Sequence, residues 1–231
     1  MKVVIFCGGK GTRISEYTQE IPKPLVEIGS KPILWHIMKY YSTFGHNDFI
    51  LCLGHKGNKI KQYFSNNTEF KVQCIDTGRE SLKSERLKYI KHLIDTDTFF
   101  VAYGDDVSNV DLNKLLNFHN QSDCIATLTT IQPNSQFGIL ITDENHLVTE
   151  FKEKPKLEHW INAGFFIFNK KIFDYMPEGE ELERGVFELL AKDRKLSAYK
   201  HKGFWRCMNT VKDMVLLNKI WDENNAKWKN W

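Results

Sequence analysis

Short apolar runs alternate with segments of helical periodicity over the first half of the chain. Residues 3–7 form a continuous apolar run that ends at two glycines, which is typical of a strand buried on both faces. Between Pro32 and Gly45 the apolar residues fall on one helical face, with proline at the first turn and glycine at the end. The same order recurs, with strands predicted over 49–53, 70–75 and 98–103 and helices over 56–64, over 85–94 and after Asp111, an expected N-cap.

The second half of the chain has a different texture. Strand-like segments separated by turn residues cover 124–131, 137–142, 147–151 and 161–168. Helices are predicted near 181–192 and from Val211, where Thr210 and Asp213 have the spacing of a capping box. We therefore expect mixed and antiparallel strands to join the sheet in this half.

These patterns together predict one fold class. Strands that alternate with helices favour parallel pairing through right-handed crossovers. We expect an α/β fold with a Rossmann-like, three-layer αβα architecture and a mostly parallel, mixed central sheet. No linker, repeat or low-complexity segment interrupts residues 1–231, so a single domain is the simplest organisation.

Composition narrows the classes of partner. The 32 Lys and Arg residues nearly balance 29 Asp and Glu, and a net charge of +3 requires neither a nucleic acid nor a membrane as partner. The five cysteines are far apart, without a C-x-x-C pair, which argues against a disulfide framework and a zinc site. No apolar run approaches the length of a membrane span, and we expect a cytoplasmic protein.

A glycine-rich loop, G-G-K-G-T-R over residues 8–13, follows the first strand at the end where open α/β sheets bind ligands. Its three glycines let backbone N–H groups approach a phosphate, while Thr12 and Arg13 add a hydroxyl and a forked cation. Lys23, between two prolines, supplies a further cation on a stiff stretch. A plain glycine-rich connection is the alternative for G-G-x-G alone, but the whole combination favours phosphate binding. It matches neither a dinucleotide motif nor a Walker loop.

At these residues the sequence resembles the sugar-phosphate nucleotidyltransferases, whose signature is G-G-x-G-T-R followed by P-K-P. Within that family it is most similar to the glucose-1-phosphate cytidylyltransferases, which serve sugar-nucleotide and polysaccharide biosynthesis. The matching segments run nearly end to end, over 26–39, 103–112, 153–155, 161–166 and 198–205. The resemblance implies that a phosphate oxygen of an acceptor attacks the α-phosphorus of a nucleoside triphosphate and releases pyrophosphate.

The resemblance also implies roles for particular residues. Arg13 would hold the departing pyrophosphate, Lys23 would lie between the α-phosphate and the attacking group, and Asp105 would bind Mg²⁺ with Asn209. The residues expected to bind the nucleotide are Cys7, Gly8, Gly9, Gly11, Thr12, Arg13, Ser84, Tyr103 and Gly104. The residues expected to bind the acceptor are Lys154, Asn162, Gly164 and Trp205. Residues 1–123 would thus form a nucleotide-binding half, and residues 124–231 an acceptor-binding half with the C-terminal helices.

Several of these residues also have plain structural interpretations. Asp105 could be a turn-forming acid after a strand, and Lys154 a solvated lysine in a charged stretch. Gly164 could be an ordinary strand glycine, and Trp205 a core aromatic residue that precedes a helix.

Two positions depart from the family pattern. Asn209 stands where the family has a metal-binding aspartate, which removes a formal charge from the expected Mg²⁺ site. K-S-E-R-L over 83–87 replaces T-G-G-R-L, so Ser84 and Glu85 take the place of two glycines near the nucleotide. A carboxylate there could repel phosphate or accept a hydrogen bond from a base amino group. The preference for CTP therefore comes from the resemblance.

Two hypotheses follow from the sequence. The first is an active transferase that uses CTP, or another nucleoside triphosphate, and a phosphorylated acceptor such as glucose 1-phosphate. The second is a catalytically weakened relative that binds nucleotide or sugar phosphate for regulation or assembly. Trp221, Trp228 and Trp231 suggest a subunit contact of a homo-oligomer, with a tail folded back onto its own subunit as the alternative.

Overall fold

The computed structural model describes residues 1–11 and 20–231. Its strands are β1 (Lys2–Phe6), β2 (Glu27–Ile28), β3 (Lys31–Pro32), β4 (Asp48–Leu53), β5 (Lys71–Asp76), β6 (Thr98–Tyr103), β7 (Asp106–Ser108), β8 (Ala126–Ile131), β9 (Ile139–Thr142), β10 (Val148–Lys152), β11 (Ile161–Asn169), β12 (Leu196–Lys200) and β13 (Trp205–Cys207). Its α-helices are α1 (Ile33–Thr43), α2 (Gly57–Tyr63), α3 (Lys83–Ile90), α4 (Leu112–Asn120), α5 (Glu188–Lys192) and α6 (Val211–Asp222).

Seven of these strands form one central sheet in the order β12-β8-β11-β6-β1-β4-β5. β1 pairs in parallel with β4 and β6, and β4 pairs in parallel with β5. β11 runs antiparallel to both β6 and β8, whereas β12 is parallel to β8. The predicted mostly parallel, mixed sheet is confirmed, and both halves of the chain contribute strands to it.

Helices cover both faces of this sheet. Val3 and Ile5 of β1 pack into a cluster with α1, α2, α4 and α6, while Val4 and Phe6 pack into a second cluster with α3 and α5. All four side chains are less than 10% exposed, because consecutive residues of a strand point to opposite faces. This confirms the three-layer architecture and explains the unbroken apolar run at the start of the chain.

Two helical segments differ from the prediction. α3 begins at Lys83, earlier than expected, because the Glu85 carboxylate accepts a hydrogen bond of 2.8 Å from the Leu82 N–H and closes the first turn. The segment near 181–192 opens with a π-helical turn over Leu182–Phe187 before α5. The N–H groups of Gly185 and Val186 both donate to the Glu181 carbonyl, at 2.9 and 3.3 Å, which widens this turn.

Several short strands were not predicted. β2 and β3 form a small hairpin, β12 is an edge strand of the main sheet, and β7 pairs with β13. In the β7–β13 pair, Cys207 lies opposite Asp106, although the two residues are about a hundred positions apart. The strands of this pair are short and far apart in the sequence, so local periodicity does not predict them.

The tryptophan-rich end folds back onto its own subunit. Trp228 is 1% exposed, stacks on Phe204 at a centroid distance of 5.4 Å, and donates from its indole nitrogen to His36 Nδ1 at 3.4 Å. Trp221 stacks on Trp228 at 6.4 Å. These contacts favour the fold-back alternative for Trp221 and Trp228, and the subunit contact through this end of the chain stays a prediction. Among the described residues, no helix has the length and apolarity needed to cross a membrane.

Candidate active site

A cleft of about 440 Å³ opens where β1 and β6 end. This is the carboxyl edge of the sheet, at which open α/β folds bind their ligands. Its lining residues are Phe6, Cys7, Gly8, Gly9, Gly11, Lys23, Pro24, Ser81, Leu82, Lys83, Arg86, Tyr103, Gly104, Asp105, Glu181 and Asn209. The structure thus brings together most of the residues predicted to bind nucleotide. Thr12 and Arg13 lie outside the described residues.

The glycine loop has a structural requirement besides its access to phosphate. A Cβ atom on Gly8 would lie 2.4 Å from Nη1 of Arg86, closer than real Cβ contacts allow. A Cβ atom on Gly104 would lie 2.8 Å from the Phe6 carbonyl oxygen. No described atom lies within 4 Å of the corresponding position on Gly9. Gly8 and Gly104 therefore allow close packing, and Gly9 allows the approach of a ligand.

Arg86 is a site residue that the sequence did not reveal. Although it is only 5% exposed, its guanidinium borders the cleft and donates to the Leu53 carbonyl and the Thr77 hydroxyl, each at 2.8 Å. It also donates to the Gly8 carbonyl at 3.5 Å. The side chain thereby connects the carboxyl end of β4 with the chain segments that follow β1 and β5. The only sequence signal was its position in the segment that aligns with T-G-G-R-L.

Lys23, Asp105 and Asn209 meet in the cleft. Lys23 begins a short 3₁₀ turn, and its ammonium donates to Oδ2 of Asp105 and, at 2.7 Å, to Oδ1 of Asn209. The Lys23 side chain is 13% exposed and that of Asp105 is 23% exposed. Three residues predicted to act on the reacting groups are therefore in direct contact.

The oxygens of Asp105 and Asn209 converge on a single cation, the Lys23 ammonium, so their spacing suits a hard cation that takes oxygen ligands. Asp106 and Cys207 lie within the same group, with ligand atoms of Asp105, Asp106 and Cys207 all within 4.8 Å of one another. Burial and the neighbouring charge of Asp105 raise the pKa of the Asp106 carboxyl. Burial and the two nearby carboxylates raise the pKa of the Cys207 thiol. Asp106 and Cys207 therefore hold their protons to a higher pH than an ordinary carboxyl and an ordinary thiol.

Three of the four residues predicted to bind the acceptor, Asn162, Gly164 and Trp205, form a second cluster near Tyr103. The Asn162 amide donates to the Tyr103 hydroxyl at 3.3 Å, and its oxygen accepts from the Gly164 N–H at 2.9 Å. Gly164 has a φ of +74°, and a Cβ atom there would lie 2.0 Å from Oδ2 of Asp106. The Trp205 indole donates to the backbone of β11 at 2.7 Å. Gly164 is thus required by the Asp106 carboxylate, which explains this glycine without a ligand.

Three predicted side chains lie away from the cleft. Lys154 is 62% exposed, and its ion pair among the described residues joins it to the neighbouring Glu153 at 3.5 Å. The Ser84 hydroxyl is buried and donates to the Glu180 carbonyl. The Glu85 carboxylate caps α3 and does not line the cleft. Packing of α3 against the second half of the chain turns Ser84 inward, and Ser81, Leu82 and Lys83 border the cleft instead.

Known proteins with similar sequences and structures share this architecture. The family model described as nucleotidyl transferase matches residues 2–223. The chain is 42% identical to the probable glucose-1-phosphate cytidylyltransferase of Bacillus subtilis (strain 168), across 100% of both chains. It is 39% identical to the glucose-1-phosphate cytidylyltransferase of Salmonella typhi, again across 100% of both. The crystal structure of HddC from Yersinia pseudotuberculosis superposes with a TM-score of 0.74 at 26% identity, covering 95% of this chain and 99% of that one.

Proposed function

This chain belongs to the nucleotidyl transferase family, and we propose that it transfers CMP from CTP to a sugar 1-phosphate and releases pyrophosphate. One structural observation carries the proposal: Lys23 lies against Asp105 in the same cleft as the glycine loop, at the carboxyl edge of the sheet. Full-length similarity to two glucose-1-phosphate cytidylyltransferases supports CTP as the donor and glucose 1-phosphate as the acceptor.

The cleft supplies what this reaction needs. A phosphate oxygen of the acceptor attacks the α-phosphorus of CTP, and the bond from that phosphorus to the bridging oxygen of the β-phosphate breaks as pyrophosphate leaves. The acceptor phosphate is largely dianionic near neutral pH, because its second pKa is about 6, and no general base is needed. Charge neutralisation and positioning then account for catalysis. We propose that the amides of Gly8, Gly9 and Gly11, which line the cleft, bind the triphosphate and that the Lys23 ammonium neutralises charge at the reacting groups.

The described residues fit a divalent cation. Asp105 and Asn209 present a carboxylate and an amide oxygen to one point, and we propose that they hold Mg²⁺ together with the triphosphate. When bound, the ion supplies further positive charge to the phosphate oxygens. With a single carboxylate, this pair binds the ion more weakly than two carboxylates would.

We propose that the two halves of the chain bind different substrates. Residues 1–123 bind the nucleotide and residues 124–231 bind the acceptor, within one domain whose central sheet joins them. The five cysteines are free thiols, which suits a reducing compartment, and we place the protein in the cytoplasm.

The hairpin of β9 and β10 supports a homo-oligomer. Its large apolar side chains are mostly exposed, with Leu140 at 55%, Leu147 at 65% and Phe151 at 60%. Contiguous apolar patches of this kind mark protein–protein contacts. We expect light scattering to give the mass of an oligomer and Phe151→Asp to reduce it to that of one chain. An unchanged mass for wild type and variant would refute a subunit contact through this hairpin.

Pyrophosphate release tests the proposed function. Wild-type protein with CTP, Mg²⁺ and glucose 1-phosphate should release pyrophosphate, and Lys23→Met should abolish the release. Lys171→Met is a matched control, because Lys171 is exposed and does not line the cleft. If the protein binds CTP but releases no pyrophosphate with any triphosphate and acceptor, the result would instead support a regulatory binding protein. The amide at Asn209, in place of a carboxylate, favours this alternative.

A further inference from the structure

The Lys83 side chain, in the first half of the chain, contacts Glu183 in the second half. Lys83 is the first residue of α3 and lines the cleft. Its ammonium lies 2.7 Å from Oε1 of Glu183, in the π-helical turn, and 5.6 Å from the centroid of the Tyr103 ring. Lys83 stands where the cytidylyltransferases that the sequence resembles have the threonine of T-G-G-R-L.

Lys83 is also the most accessible of the described cations in the cleft. Lys23 donates hydrogen bonds to Asp105 and Asn209, and its side chain is 13% exposed. Arg86 is 5% exposed and donates to backbone carbonyls. The Lys83 side chain is 36% exposed. An ammonium has three donors, so the contact with Glu183 leaves others for a ligand. The cleft therefore offers a cation that neither the glycine loop nor the metal ligands supply.

Glu183 holds both Lys83 and Tyr103. The Tyr103 hydroxyl donates to the same Oε1 atom that Lys83 contacts, and the Asn162 amide donates to that hydroxyl at 3.3 Å. Burial alone would raise the pKa of Glu183, but the hydrogen bonds from Lys83 and Tyr103 lower it below its usual value. The carboxylate stays charged and keeps both partners in place.

Two side chains of α3 donate hydrogen bonds to the backbone near Glu183. The Ser84 hydroxyl donates to the Glu180 carbonyl, and the Lys88 ammonium donates to the Pro177 carbonyl at 3.3 Å. Gly185 permits the tight turn, because a Cβ atom there would lie 2.6 Å from Cβ of Glu180. Single π-helical turns of this kind frequently occur at functional sites.

We propose that Lys83 binds a phosphate oxygen of a substrate and that Glu183 is the positioning residue that holds Lys83 in the cleft. The inference rests on the proposed function, which places phosphorylated substrates there. The phosphate belongs either to the triphosphate or to the acceptor, and the two sources have the same chemistry at Lys83.

Calorimetric binding to Lys83→Met tests the role of the charge, since methionine keeps the length of the side chain. We expect about tenfold weaker binding of a phosphate ligand, as for the loss of one charge-assisted hydrogen bond, and recovery in Lys83→Arg. Lys88→Met is the matched control, because Lys88 lies on the same helix, also contacts the second half and does not line the cleft. It should bind every ligand as the wild type does.

The ligands identify the source of the phosphate. Weaker binding of CTP, with cytidine unchanged, assigns Lys83 to the triphosphate. Weaker binding of glucose 1-phosphate, with CTP unchanged, assigns it to the acceptor. Equal weakening of CTP and cytidine, or no change in any phosphate ligand, would overturn the proposal. The double variant Lys83→Met with Glu183→Met leaves no unpaired carboxylate, and it should still bind the phosphate ligand weakly. Recovery of wild-type affinity would show that Lys83 only pairs with Glu183 and does not bind phosphate.

Glu183→Ala tests positioning. It should weaken the same phosphate ligand severalfold, and Glu183→Gln, which keeps an oxygen acceptor, should restore part of the affinity. Unchanged affinity in Glu183→Ala would remove Glu183 from the proposal. Inorganic pyrophosphate separates this inference from the proposed function: if the wild type binds pyrophosphate but transfers nothing, and Lys83→Met weakens that binding, Lys83 remains a phosphate ligand although the proposed transfer fails.

Discussion

Lys23 and Asn209 are 186 residues apart in the sequence, and their side chains meet at 2.7 Å. The Lys23 ammonium also contacts Asp105, so it uses the oxygens that are proposed to hold Mg²⁺. A metal ion held at the proposed site would compete with the ammonium for these oxygens in the absence of substrate. Its binding would free Lys23 for the phosphates and so couple the metal to the nucleotide.

This competition predicts that loss of the Lys23 charge strengthens metal binding while it abolishes catalysis. Without nucleotide, Lys23→Met should bind Mn²⁺ more tightly than the wild type, although it transfers no CMP. Asn209→Asp should also bind Mn²⁺ about tenfold more tightly, because a second carboxylate strengthens a divalent site. Electron paramagnetic resonance of free Mn²⁺ measures the Mn²⁺ affinity of both variants, with Lys171→Met as the control. Weaker Mn²⁺ binding in Lys23→Met would show that the ammonium does not compete for these oxygens.

Gly164 and Gly179 form a matched pair for a stability test, since both have a φ of +74°. Alanine at Gly179 meets no described atom within 4 Å and should cost about 1 kcal/mol in the free energy of unfolding from backbone strain alone. Alanine at Gly164 would also collide with the Asp106 carboxylate, so we expect a total loss of about 3 kcal/mol. Urea unfolding gives both values. Equal losses would show that Asp106 moves away freely.

Removal of the Arg86 guanidinium should affect both stability and binding. Arg86→Met leaves the carbonyls of Gly8 and Leu53 without this donor, and a loss of about 2 kcal/mol in the free energy of unfolding is expected. The loop after β1 then loses its support, so affinity for CTP should fall in the same variant. Arg79→Met is the control, because that side chain is 67% exposed. Thermal unfolding and calorimetry provide the measurements, and wild-type affinity for CTP would exclude Arg86 from shaping the loop.

His36 makes stability depend on pH. Burial lowers its pKa to about 4, against a usual value of 6.5, although its hydrogen bond to the Ile28 carbonyl acts in the opposite direction. Because the unfolded chain takes up the proton first, the stabilisation is complete above about pH 6.5 and falls as the pH drops toward 4. In this window one such group contributes a slope of about 1.4 kcal/mol per pH unit.

Replacement of His36 should make the curve shallower. Urea unfolding of His36→Gln between pH 7 and pH 4.5 is expected to lose part of the slope that the wild type shows. His46, whose pKa burial also lowers to about 4, continues to contribute. An identical slope in His36→Gln and wild type would show that His36 is not kept neutral by the fold.

The sequence by itself determined the features that depend on neighbours along the chain. Strand β6 has the predicted bounds, and the Thr210 hydroxyl caps α6 by accepting from the Asp213 N–H. The loop that begins at Gly8 was placed at the carboxyl edge because a short apolar run that ends at two glycines is typical of a central strand buried on both faces. Periodicity, caps and turn residues act within a few positions, and that is the range over which a pattern in the sequence can predict them.

The tertiary structure decided which side chains face the cleft. Lys154, Ser84 and Glu85 were assigned from their motifs, but a positive φ of 46° accompanies the exposed position of Lys154, and the packing of α3 turns Ser84 inward. Glu183 contacts Lys83 although the two residues are 100 positions apart, and no local pattern in the sequence predicts such a contact. The direction of a side chain depends on helix rotation and on partners brought together by the sheet, and these are set only when the whole chain packs.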